Sequence, residues 1–354
     1  MADLIGLIIL FLFLGALLFF ANIADGEREK GGTGTIWAAV SYGVLVVMYL
    51  AAAVIGAGIW LAATLSQSNP EFAEQMKLGP QADLMKTFEN PTVFALGLLI
   101  PSLIGIVLLL PWVRRLLARI INIDANSSVH AVALSMSMLV IMQIAALLGM
   151  GMANLVEATS QNVSSDAMQL ATLWLQQLST AALGIVGVGF LTRRNWSETM
   201  ERLGLAVPTL RQFALGIGTA FMLVVMVVVL GAVAERVGVG FDENVEKLSE
   251  QMMGALFKSP WGILTAGLSA AIGEEILLRG ALQPRFGLLL STIVFALLHG
   301  QYGLTLSTLI VFLVGLVLGI VRNRENTSTS MIIHATYNML LSLMTYLGLE
   351  FLNQ

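Results

Sequence analysis

Apolar runs of membrane-crossing length recur through the whole chain, and they restrict it to one class of fold. A helix of about 20 apolar residues crosses the hydrocarbon core of a bilayer. Ten hydrophobic segments qualify as candidates: 4–23, 36–65, 92–112, 129–155, 169–192, 213–235, 260–286, 287–301, 304–321 and 331–350. The 287–301 run is short for a full crossing. Because the runs are continuous and rich in Leu, Val, Ala and Gly, they do not match the short alternating segments of a membrane β-barrel. Only 11% of residues are charged, against about 25% in soluble domains. The expected fold is an all-α polytopic transmembrane helix bundle of about ten hydrophobic segments.

No basic stretch precedes the first run at Leu4, so it reads as a span and not as a cleaved signal. The absence of cysteine removes disulfides and thiolate metal ligands. Orientation follows from the positive-inside rule. Loops 24–35, 113–128 and 193–212 hold nine Lys and Arg residues, whereas the intervening loops 66–91, 156–168 and 237–259 hold four, Lys77, Lys86, Lys247 and Lys258. The first set is expected in the cytoplasm, with both termini outside it. Arg285, Arg322 and Arg324 then also fall on the cytoplasmic side.

No period of 20 to 50 residues repeats. The basic and aromatic loop 193–212, compatible with a short surface helix, separates an N-terminal accessory region, 1–192, from a C-terminal bundle, 213–354. Pro101 is expected to kink the third span, Gly315 and Gly319 to form a close-packing stripe, and the long second span to tilt or to extend beyond the bilayer.

The charges inside the apolar segments are confined to the second half. An ionised group at the bilayer centre costs about 2.5 to 3.5 kcal/mol on insertion scales, so one that persists faces a polar cavity and has a task. In the segment Ser269–Gly280, α-helical spacing puts Glu275 and Arg279 on one face as a structural ion pair and turns Glu274 about 100° away, unpaired. His299, and His334 with Asn338 one turn later, follow in the next segments. If the chain turns near Arg285, Glu274 and His299 reach matching depth, in a cavity nearer the cytoplasm. His130 reads as interfacial, while Gln143, Gln176 and Gln177 could line a cavity or join helices by hydrogen bonds, with helix packing the default.

Two chemistries are open to this set. Glu274, His299 and His334 are a possible zinc ligand set with an open position for water. Alternatively, with no cofactor, Glu274 and His299 activate water directly while His334 and Asn338 donate to an oxyanion.

The motifs Glu274-Glu275-Ile-Leu-Leu-Arg279, Phe295-Ala-Leu-Leu-His299 and His334-Ala-Thr-Tyr-Asn338 together resemble those of the CAAX protease and bacteriocin-processing (CPBP, or Abi) family of membrane peptidases, over roughly residues 258–345. The resemblance implies an intramembrane endopeptidase acting on a membrane-associated, CAAX-type peptide or protein. Catalysis would fall to Glu274, His299, His334 and Asn338. Family members have been called metalloproteases, while a metal-free glutamate mechanism is associated with eukaryotic relatives and is the favoured reading. Partners on this reading are the lipid bilayer and a membrane substrate, with no nucleic acid. The rival reading is a non-catalytic immunity or scaffold protein of the same fold that binds a peptide without cleaving it. A transporter is disfavoured because the polar residues lie in one half only.

Overall fold

The computed structural model of the chain describes residues 2–78, 87–160, 164–238 and 242–348. Lys86, and positions 349–350 of the last expected span, lie outside them. Among the described residues the regular secondary structure is helical. In chain order it comprises α1 (Ala2–Glu29), α2 (Thr35–Ser68), α3 (Pro70–Leu78), α4 (Pro91–Leu108), α5 (Pro111–Leu117), α6 (Ser128–Met150), α7 (Met152–Ser160), α8 (Asp166–Gly187), α9 (Trp196–Leu203), α10 (Leu210–Arg236) and α11 (Glu243–Met253). Then come α12 (Pro260–Glu274), a π-helical segment (Glu275–Leu282), α13 (Gln283–Leu298), α14 (Leu306–Arg324) and α15 (Thr327–Tyr346), with short 3-10 turns at Gly254–Phe257 and Gly300–Tyr302.

Eight helical stretches among the described residues are long and apolar enough to cross a membrane, which makes the chain an integral membrane protein. Two features account for the difference from ten. Segments 260–286 and 287–301 form one stretch, Pro260–Leu298, interrupted at Gly287, where φ 81° and ψ 171° are non-helical. The last segment is a helix, α15, but Thr327, Ser328, Thr329, Ser330, His334 and Asn338 lower its hydropathy. α2, with 34 residues, is about 51 Å long at 1.5 Å per residue, well beyond the roughly 30 Å core. Val54, Ile36 and Met222 are all more than 70% exposed, as side chains facing lipid should be.

The break at Gly287 reverses the chain. On one straight helix Glu274 and His299 would stand about 37 Å apart, yet Glu274 Oε2 and His299 Nε2 are 3.9 Å apart. The two arms of the Pro260–Leu298 stretch therefore form a hairpin. That backbone conformation is open essentially to glycine alone.

Two apolar cores flank the hairpin. One joins α1, α2, α6 and α8 around Leu17, Leu45, Tyr49 and Val132; the other joins α10, α13, α14 and α15 around Leu223, Phe295, Leu318 and Ile333. The loop at 193–212 contains α9, opened by a capping box in which Asn195 and Glu198 satisfy each other's backbone N–H. Leu203 of α9 is fully buried against Val188 and Ile276, while Trp196 stays 56% exposed. α4 runs on through Pro101. On α14, the Gly315 and Gly319 stripe faces the hairpin: a side chain at either position would meet Phe295 or Leu288 within 2.5 Å.

Candidate active site

The sequence from Glu275 to Leu282 departs from α-helical geometry. The N–H of Gln283 bonds the carbonyl of Leu278, five residues back, as in a π-turn, a form that is frequent at functional sites. Glu275 and Arg279 are both fully buried here, with Arg279 Nε 3.6 Å from Glu275 Oε2. The ion pair expected from spacing is present, but Glu275 is not reserved for Arg279. Ser330 Oγ donates to its Oε2 at 2.5 Å, and His334 Nδ1 lies 3.0 Å from its Oε1. Arg279 donates from Nη2 to the Gly315 carbonyl at 3.1 Å and lays its guanidinium over the Phe295 ring, 4.5 Å from the centroid. The bare Gly315 backbone makes that contact possible.

Glu274 projects elsewhere. Its Oε1 accepts a 2.9 Å hydrogen bond from Gln177 Nε2 of α8, so the residue is not wholly unpaired, as α-helical spacing suggested. Its Oε2 is buried without a hydrogen-bond partner and faces His299. Gly273 permits this approach: a Cβ there would stand 2.1 Å from Gln177 Oε1 and 2.6 Å from the Gln177 carbonyl.

His299 terminates α13, and its Nδ1 lies 2.9 Å from the Phe295 carbonyl. A carbonyl only accepts, so Nδ1 carries the hydrogen of that contact and Nε2 is the ring atom turned toward Glu274. Tyr302 stacks on the same imidazole at 6.1 Å and 10°. Phe295 lies edge-on to His334 and tilted against His299, so one ring braces Arg279 and both histidines.

His334 differs from its expected place. Its Nδ1 contacts Glu275, not Glu274, because α15 packs against the π-segment where Glu275 projects. Its Nε2 is left for the cavity. Asn338, one turn on, donates from Nδ2 to the Ala266 carbonyl at 3.1 Å, which keeps one amide hydrogen free. Glu274, His299, His334 and Asn338, with Gln177 and Tyr302, all line one large cavity of about 2380 Å³.

Among the described residues no three His, Asp or Glu side chains are grouped to hold a metal. Glu274 and His299 face one gap while Glu275 engages His334, so the zinc set Glu274, His299 and His334 is not assembled as a three-ligand group. His130 lies apart and accepts the Asp124 backbone N–H at Nδ1. Gln143 and Gln176 are exposed, and neither bonds to the site.

Ser330 escaped the sequence reading, and Gln177 entered it only as a cavity-lining or helix-packing amide. The signal for Gln177 was a polar amide inside an apolar span, which is equally the mark of helix packing. Ser330 sits one turn before His334 on the same face, a spacing that could have attached it to Glu275.

Residues 256–340 match the family model described as type II CAAX prenyl endopeptidase, Rce1-like. No curated protein and no solved structure matches the chain. The matched region carries all three motifs, and α8 with Gln177 lies outside it. The helices that hold Glu274, His299 and His334 are thus similar, over residues 256–340, to type II CAAX prenyl endopeptidases of the Rce1-like kind.

Proposed function

We propose that the chain is an intramembrane endopeptidase that hydrolyses a membrane-associated, CAAX-type peptide or protein with water activated by Glu274 and His299. The observation that carries this reading is the buried, unpartnered Oε2 of Glu274 facing His299 Nε2 across 3.9 Å. A water at about 2.8 Å from each atom fits that gap. Glu274 takes a proton from this water as its oxygen bonds to the scissile carbonyl carbon, and His299 orients the water through its Nε2 lone pair.

The carbonyl oxygen becomes an oxyanion, which the free amide hydrogen of Asn338 and His334 Nε2–H stabilise. Since His334 Nδ1 engages Glu275, Nε2 donates only when the ring is an imidazolium, and the buried Glu275 carboxylate offsets its charge. When the C–N bond breaks, Glu274 returns its proton to the leaving amine. Gln177 holds Glu274 in this orientation.

The decisive variant is Glu274→Gln, in purified full-length protein in liposomes with a prenylated, internally quenched peptide. Turnover is expected to fall by about 10²- to 10⁴-fold, the usual contribution of a general base, with thermal unfolding unchanged. Equal turnover by the variant sinks the reading. Peptide binding without cleavage by either protein supports the non-catalytic alternative instead.

A further inference from the structure

The end of the bundle where α1, α8, α13 and α14 meet α9 holds an open cavity of about 740 Å³ that borders the large cavity and shares Glu29, Arg193, Arg194, Arg202 and Arg285 with it. Arg193, Arg194, Arg202, Arg285 and Arg322 all line it. Loops far apart in sequence supply these charges, so the clustering is a product of the fold. Glu29, Glu198 and Glu201 are the acidic groups on its wall. Glu29 is taken up by Arg193 at 2.8 Å, and Glu198 accepts the Asn195 N–H in the helix cap.

Five arginines against three glutamates leave two positive charges unmatched on the wall. Arg194 donates to the Val188 carbonyl, and Arg202 to the carbonyls of Gly280 and Ala281 at 3.1 and 3.4 Å. These neutral acceptors leave the charges in place. Arg322 Nε is buried with no hydrogen-bond partner, and Arg285 makes no ion pair among the described residues. Burial, reinforced by Arg285, Arg194, Arg322 and Arg193, lowers the Arg202 pKa to about 10. Like charges in this arrangement call for an anion between them.

We propose that this arginine cluster binds a phosphate group, as carried by an anionic phospholipid headgroup or by free phosphate. Guanidinium forks match phosphate oxygens in pairs, and five of them around an open pocket exceed what the wall's own glutamates can satisfy. The exposed Trp196 on α9 stands beside the cluster in sequence, where an indole anchors at a membrane interface.

The test uses the full chain, purified in detergent, and reads both binding and thermal stabilisation with short-chain phosphatidylglycerol, with short-chain phosphatidylcholine and with inorganic phosphate. Phosphatidylglycerol is expected to bind more tightly than phosphatidylcholine. Each arginine removed should weaken binding about fivefold, so Arg285→Gln with Arg322→Gln should lose about 25-fold. Arg236→Gln removes one exposed charge outside the cluster and should bind as the parent does. Stabilisation by millimolar phosphate alone, lost in the double variant, assigns free phosphate as the source; a response to phosphatidylglycerol only assigns the lipid.

Arg285→Gln alone covers a double variant that fails to fold, with a fivefold loss expected. Unchanged binding by a folded Arg285→Gln or double variant overturns the proposal. So does an equal loss in Arg236→Gln, or equal binding of both lipids with no response to phosphate.

Discussion

Glu274 and Glu275 are adjacent in the chain and have opposite surroundings. Glu275 is enclosed by Arg279, His334 and Ser330, while Glu274 keeps one oxygen for Gln177 and one for the cavity. Gln177→Leu preserves most of the side chain's bulk and removes the donor to a carboxylate, an interaction worth about 1.5 to 3 kcal/mol. In steady-state peptidase kinetics it should lower kcat roughly 10- to 100-fold with KM little changed. Arg279→Met strips a counter-charge from a buried carboxylate, so unfolding should become easier by about 3 to 5 kcal/mol. A denaturant titration in detergent reads that loss, and an unaltered midpoint contradicts it. At this scale the sequence revealed which residues are polar and where helices carry them. It did not reveal that His334 turns to Glu275, because that pairing depends on how α15 packs against the π-segment.

At the scale of elements, the hairpin between α12 and α13 brings Glu274 and His299 of the candidate site together. The apolar runs predicted both arms, and the expectation of a turn near Arg285 comes close to the break at Gly287. The π-segment was not legible. Nothing local in Glu275–Leu282 demands a wider turn, and its environment is set by distant partners: Leu203 against Gly280, and Ile276 with Leu277 against Gly184. The Gly287 bend gives the prediction proper to this scale. Around Gly287 there is open space for a methyl group, so Gly287→Ala tests backbone conformation alone. Stability should drop by about 1 to 3 kcal/mol, measured by thermal unfolding in detergent, and peptidase activity should fall as the Glu274–His299 gap opens. A substitution without effect on either would show that the bend does not depend on glycine.

For the whole molecule, the basic loops converge on one end. α8 begins at Asp166, paired with Lys258, and ends beside the Arg193 and Arg194 turn. Its 22 residues separate these two ends by about 33 Å, close to the thickness of the hydrocarbon core. We expect the arginine-rich end to face the cytoplasm, and the absence of cysteine makes the test direct. Ser197→Cys at the arginine-rich end should react with a membrane-impermeant maleimide only from the cytoplasmic face, and Glu250→Cys only from the opposite face. The reverse labelling would invert the topology.

The hairpin has a consequence for how such a chain enters a bilayer. Its two arms are consecutive in sequence and joined by a tight bend, so they can partition into lipid together. Glu274 and His299 would then meet each other, and not hydrocarbon, before α15 arrives to close the other side. The order of the motifs along the chain is in this sense an order of biosynthesis, with the most polar segment inserted last into a site already shielded.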